Sequence, residues 1–300
     1  MQEKLRWLGR WVAVGWVLLL VVACAEVTPP EPKDGSPTAD NPSSAEETPT
    51  PRNTLTPLPT ATAATAAPDW QATVDGMQAL TQELEIPEHL RVPNAERTGE
   101  EFDVNAYFTV LTHLSMESGY LLDYVYHYNG VSGASFIYAR PAEAEGYATF
   151  THYMDATGDV LAAGYDHAWL DHIEVDGSAE GFFELVVLTL QGEQFYLWWH
   201  AGYNDTTVVS SQEGVERVIE KINDTVIGCS FSASQEEQAR AINTEPEVMF
   251  EPDAVRVRVV TFTKWGGFEA HNFTARREFP HRVLDHETEV LVPFDWGVMF

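Results

Sequence analysis

The stretch from Phe182 to Asp205, FFELVVLTLQGEQFYLWWHAGYND, is the densest apolar and aromatic run beyond the N-terminal leader, and any fold of the chain has to bury it. Its two halves, rich in β-branched and aromatic residues, flank a polar break at Gln191, Gly192, Glu193 and Gln194, where Gly at the first central position suits a type II′ turn. The pattern predicts a central β-hairpin. With a two-residue loop, Leu190 stands opposite Phe195, Leu188 opposite Leu197 and Val186 opposite Trp199, so both faces are apolar and both are covered.

The flanking segments give the remaining elements. Asp69 is placed to cap a helix from Trp70 to Glu85, with Pro87 ending it, and Asp103 to cap a second from Val104 to Met116. Tyr120, Leu122, Tyr124, Tyr126 and Tyr128 alternate as one face of a strand, and Asn129-Gly130 leads into another at Ala134–Arg140. A tyrosine ladder of this kind packs in a core or, if exposed, stacks sugars or peptides. A strand is expected over Trp169–Val175, a helix from Ser211 to Ile222 behind a Ser210/Glu213 capping box, a strand at Thr225–Phe231, and a short helix opened by Ser234/Glu237. The last fifty residues read as β structure. Gly266-Gly267 marks a hairpin whose two-residue loop would set Lys264 opposite Glu269 and Val260 opposite Phe273, and a further strand covers Arg282–Val292. Hairpin-linked strands predominate, so the class is α+β with a mainly antiparallel sheet, residues 70–300 forming the head, with a possible subdivision near 245.

The N-terminus differs from all of this. Lys4, Arg6 and Arg10 precede an apolar run from Trp11 to Ala23, which as a helix of about 20 Å falls short of the roughly 30 Å hydrocarbon core and reads as the h-region of an export signal. Val21, Val22, Ala23 and Cys24 resemble the lipobox of bacterial lipoproteins, with Val where Leu is commonest. That resemblance implies a signal peptide over 1–23, diacylglyceryl attachment to the Cys24 thiol, cleavage before Cys24, a membrane-held protein and a head outside the cytoplasm. Residues 24–69 are rich in Pro, Thr, Ala and Ser and hold too few large apolar groups to offset the entropy of ordering, so they read as a disordered tether reaching ~35–40 Å as a flexible coil.

Charge and motifs narrow the chemistry. The chain carries a formal net charge of −29, and residues 70–300 hold 12 Lys and Arg against 38 Asp and Glu, a balance of −26 that repels phosphate backbones and argues against nucleic acid as a partner. No GxGxxG, Walker A, HExxH or GxSxG sequence is present, and no cofactor is implied. With Cys24 assigned to the anchor, Cys229 reads as a buried small hydrophobe without an intrachain disulfide. The ten histidines raise a metal hypothesis at Asp166-His167, Asp171-His172, His200 and Asp205, yet none has zinc-ligand spacing, and the hairpin register sets Leu185 between His172 and His200. His172, His200, Tyr203 and Asp205 remain the candidates for a ligand site. Three functions follow as expectations: a surface-tethered binding or interaction module, an extracytoplasmic hydrolase built from dispersed His and Asp residues, and a structural envelope protein.

Overall fold

A computed structural model describes residues 68–162, 167–199 and 206–298. In chain order these form α1 (Trp70–Thr81), β1 (Leu114–Met116), β2 (Tyr120–Tyr128), β3 (Ser132–Pro141), α2 (Phe150–Ala162), β4 (Ile173–Val175), α3 (Ala179–Gln191), β5 (Trp198–Trp199), β6 (Thr207–Val209), α4 (Gln212–Asn223), α5 (Ala233–Arg240), β7 (Glu247–Phe250), β8 (Ala254–Thr263), β9 (Gly267–Arg276) and β10 (Val283–Pro293). Three antiparallel sheets result, β1-β4, β2-β3-β5 and β10-β9-β8-β6, with β7 also paired to β8. The fold is α+β with antiparallel sheets, in agreement with the class read from the sequence.

The expected central hairpin is instead a helix. Phe182 to Gln191 lies within α3, where Ser178 is the N-cap, its hydroxyl accepting from the Gly181 N–H at 2.9 Å, and Glu180 sits in the first turn. Every residue from Gly181 to Leu188 is buried. A helix apolar all round is a fully enclosed helix, and a continuous apolar run shows no periodicity that separates it from a buried strand. The Gln191–Gln194 break ends this helix: Gly192 donates to the Leu188 carbonyl at 2.8 Å and Gln194 to that of Gln191 at 3.0 Å. The register that set Leu185 between two histidines therefore disappears.

Around α3 the sequence patterns fall into place more closely. Its faces share one core with Leu122, Tyr124 and Tyr126 of β2, Val255, Val257 and Val259 of β8, and Phe273 and Ala275 of β9, joining residues on both sides of position 245. The tyrosine ladder packs. Tyr124 and Tyr126 are fully buried, and hydroxyls tie the end of α3 to its surroundings: Tyr107 donates to the Gly192 carbonyl at 2.7 Å and Tyr126 to that of Tyr196 at 2.8 Å. A second cluster lies where Val260 and Phe262 of β8 meet Val215, Val218, Ile219 and Ile222 of α4 together with Phe231, Phe294 and Trp296.

Other expectations shift or fail. Asp69 caps α1, but the segment after Asp103 is a 3-10 turn over Val104–Thr109 followed by β1, and Trp169 begins a 3-10 turn, Ala168–His172, before β4. Nearby serines take two caps: Ser211 rather than Ser210 caps α4, and Ser232 with Gln235, rather than Ser234 with Glu237, forms the capping box of α5. Thr225–Phe231 is not a strand, and Val226 stands 99% exposed within it. Thr263 pairs with Gly267 and Val260 with Ala270, so the β8–β9 loop is Lys264-Trp265-Gly266 and the predicted Lys264–Glu269 and Val260–Phe273 pairings do not form. Gly267, at φ +90°, belongs to the strand, where a Cβ would collide with the Val292 carbonyl of β10. Cys229 is buried, as expected of a small hydrophobe. β10 forms one edge of its sheet, with Asp285, Glu287 and Glu289 exposed along it.

Because α3 has no solvent face, its cap acts on the whole core. Ser178→Ala is expected to lower the unfolding free energy by about 1 kcal/mol, measured as a lower urea midpoint at unchanged slope.

Candidate ligand-binding cleft

Alternation on three neighbouring strands puts Val257, Val259 and Thr261 of β8, His271 and Phe273 of β9, and His286 of β10 on one face, since Val257 pairs with Phe273, Val259 with His271, and Phe273 in turn with His286. At the open end of this face lies a cleft of about 390 Å³. One wall is Phe273, Val283 and His286; the other comes from His167, Ala168, Leu170 and Asp171 around the 3-10 turn and from Thr189 and Leu190 at the end of α3. The two walls are joined by Arg282, whose Nε donates to Asp171 Oδ1 at 3.0 Å while a terminal nitrogen reaches Oδ2. Both carboxylate oxygens are engaged, giving a two-pronged ion pair between sheet and turn.

Behind His286 runs a chain of neutral hydrogen-bonding groups. His286 Nε2 lies 2.8 Å from His271 Nδ1, and His271 Nε2 lies 2.8 Å from the hydroxyl of Thr261, which is fully buried. The His286 ring also stacks on Phe273, with centroids 4.0 Å apart and planes 6° from parallel. His271 is 8% exposed; burial, aided by the neighbouring His286, pushes its pKa down to about 4. Burial likewise lowers that of His286. Near neutral pH both imidazoles are uncharged, so each ring has one donor and one acceptor nitrogen.

The residues singled out in the sequence fall mostly elsewhere. His172 bonds through Nδ1 to Glu117 at 2.7 Å and stacks on Tyr120 at 4.1 Å, outside the cleft. His200, Tyr203, Asp205 and Asp166 lie outside the described residues. Asp171 and His167 do line the cleft, whereas Thr261, His271, Arg282 and His286 were not signalled. For Thr261, His271 and His286 the signal is parity on three strands, and it depends on the β8–β9 and β9–β10 registers. Among the described residues no group of three or more His, Cys, Asp or Glu side chains is placed to hold a metal ion.

A second cluster, at the start of α3, has serine, histidine and aspartate together without the geometry of nucleophilic catalysis. His113 Nδ1 bonds to Asp176 at 2.8 Å, and the same nitrogen is the one 3.4 Å from the Ser178 hydroxyl, which donates to Asp176 at 2.5 Å and caps Gly181. A serine nucleophile needs the opposite imidazole nitrogen from the one its carboxylate holds, so this is a cap network. Within reach, Glu184 is 3% exposed and accepts from the His113 N–H at 2.8 Å. Burial, only partly offset by that bond, pushes its pKa up to about 7.

Compared with protein-family models, curated proteins and solved structures, the chain matches none.

Glu184 and His271 pull stability in opposite directions with pH. The native pKa of Glu184 is about 7 against 4.5 for the free group, so between these values the native state binds more protons and stability is lost as pH rises. His271 has about 4 against 6.5, so the unfolded chain binds more protons there and stability is lost as pH falls. Glu184→Gln, which keeps an acceptor for the His113 N–H, is expected to be more stable than the parent at pH 8 and to lose stability more steeply below pH 6.5, as read by urea unfolding across that window.

Proposed function

We propose that the protein is a membrane lipoprotein, anchored through acylated Cys24, whose head stands outside the cytoplasm on the Ala25–Asp69 tether and binds a small ligand in the cleft between β10 and the 168–172 turn. The observation that carries the binding role is the cleft itself: apolar walls from Leu170, Leu190, Phe273 and Val283, with a few polar groups held by bonds behind them. Binding sites for small molecules have this composition and this order of volume. The membrane role rests on the basic n-region, the short apolar run and Val-Val-Ala-Cys. No helix among the described residues is long and apolar enough to cross a membrane, and acyl chains supply attachment in the proposed arrangement.

A hydrolase reading has one specific observation in its favour. The chain from Thr261 through His271 to His286 orients an imidazole at the cleft in the way a general base is oriented by a partner on its other nitrogen. Turnover of p-nitrophenyl acetate by the protein, lost in His286→Ala at unchanged stability, would move the assignment from binding to catalysis.

Acylation of the Cys24 sulfur and a disulfide between the chain's two cysteines exclude each other. The expected result is that the membrane-extracted protein partitions into the detergent phase, carries the added mass of acyl chains and begins at Cys24, and that Cys24→Ser loses all three. A non-reducing intact mass equal to the unmodified chain less two hydrogens would remove the anchor.

A further inference from the structure

Resting on the cleft reading, we infer that the site is selective by charge and hydrogen bonding: it takes a ligand with an apolar, ring-sized body and an uncharged or cationic hydrogen-bonding group directed at His286, and it rejects anions. Among the described lining residues Arg282 carries the one permanent positive charge, and it is committed to both oxygens of Asp171. A carboxylate or phosphate entering the cleft would give up its hydration without gaining an uncompensated cation. Asp285, adjacent to His286 on β10, adds to the field of a strongly acidic head, which favours a cation over an anion of the same shape.

The hydrogen-bonding side of the selectivity comes from the histidine chain. His286 Nε2 is committed to His271, which leaves Nδ1 as the ring nitrogen for a ligand. Two proton arrangements satisfy the chain. In one, His286 Nε2–H donates to His271 Nδ1 and His271 Nε2–H to Thr261 Oγ1, leaving His286 Nδ1 an acceptor. In the other, the Thr261 hydroxyl donates to His271 Nε2 and His271 Nδ1–H donates to His286 Nε2, leaving His286 Nδ1–H a donor. An alcohol fits either arrangement and an ammonium fits the first, and neither requires a charge on buried His271. The apolar part of the ligand rests against Leu170, Leu190, Phe273 and Val283.

Four probes of one shape separate these effects: toluene, benzyl alcohol, benzylammonium and benzoate. Binding is followed on the full chain in detergent micelles by shifts of the Leu190, Phe273 and Val283 amides, with dissociation constants from titration. Benzyl alcohol and benzylammonium are expected to bind about fivefold more tightly than toluene, the worth of one hydrogen bond, and benzoate at least about tenfold more weakly than benzyl alcohol. His286→Phe, which keeps a ring to stack on Phe273, is expected to erase the advantage over toluene while toluene itself still binds, and His286→Gln to restore part of it. Benzoate binding as tightly as the alcohol, or all four binding alike, would overturn the inference and leave the cleft as a binding site. Absence of shifts at the cleft amides with every probe would overturn the cleft reading and the inference with it.

Discussion

A helix with no polar stripe cannot lie on a surface, and α3 is such a helix from Gly181 to Leu188. Other elements must enclose it, and the positions of β2, β8, β9 and α1 follow: Trp70 of α1 meets Phe183 edge-on at 4.8 Å, and Phe182 meets Phe250 of β7 and His281 beyond β9. Apart from Glu184, polar chemistry is left to its two ends. At the first, the Ser178 hydroxyl accepts from the Gly181 N–H and Asp176 from the Ser178 N–H, with His113 bonded to Asp176; at the second, Thr189 and Leu190 become a wall of the cleft. The site is thus placed by the helix's burial rather than by a motif.

What was legible in the sequence is what carries a period. β2 shows Leu122, Tyr124 and Tyr126 pointing inward, and β8 shows Val255, Val257 and Val259 doing so, because each has solvent or a different neighbour on its other face. Phe182–Leu190 has no such contrast. Its cap, Ser178 ahead of Ala179 and Glu180, was the available sign, and it was outweighed by a glycine that resembled a hairpin turn. The cleft was less legible still. His271 and His286 share a face only when the β9–β10 register is right, and Thr261 joins them only when the β8–β9 register is right too, which a two-residue loop sets wrongly because Gly267 belongs to the strand. One residue of slip sends a histidine to the opposite side.

The two polar clusters differ in what their neighbours demand. Ser178, His113 and Asp176 look like catalytic types, but Ser178 is taken up in capping the start of α3 and His113 in holding Asp176. The His286–His271–Thr261 chain instead leaves one ring nitrogen uncommitted beside a concave, largely apolar surface. Residue identity does not distinguish the two; the direction of each bond does.

The acidic edge of β10 bears on how copies of this head share a surface. If two such edges met antiparallel and centred on Glu287, Glu287 would face its own counterpart and Asp285 would face Glu289, placing like charges side by side along the shared ladder. Under the proposed anchor, copies of the head held in a membrane plane would encounter one another at far higher effective concentration than in solution. A strand edge that repels its own kind keeps such a crowded layer from zipping into continuous sheet.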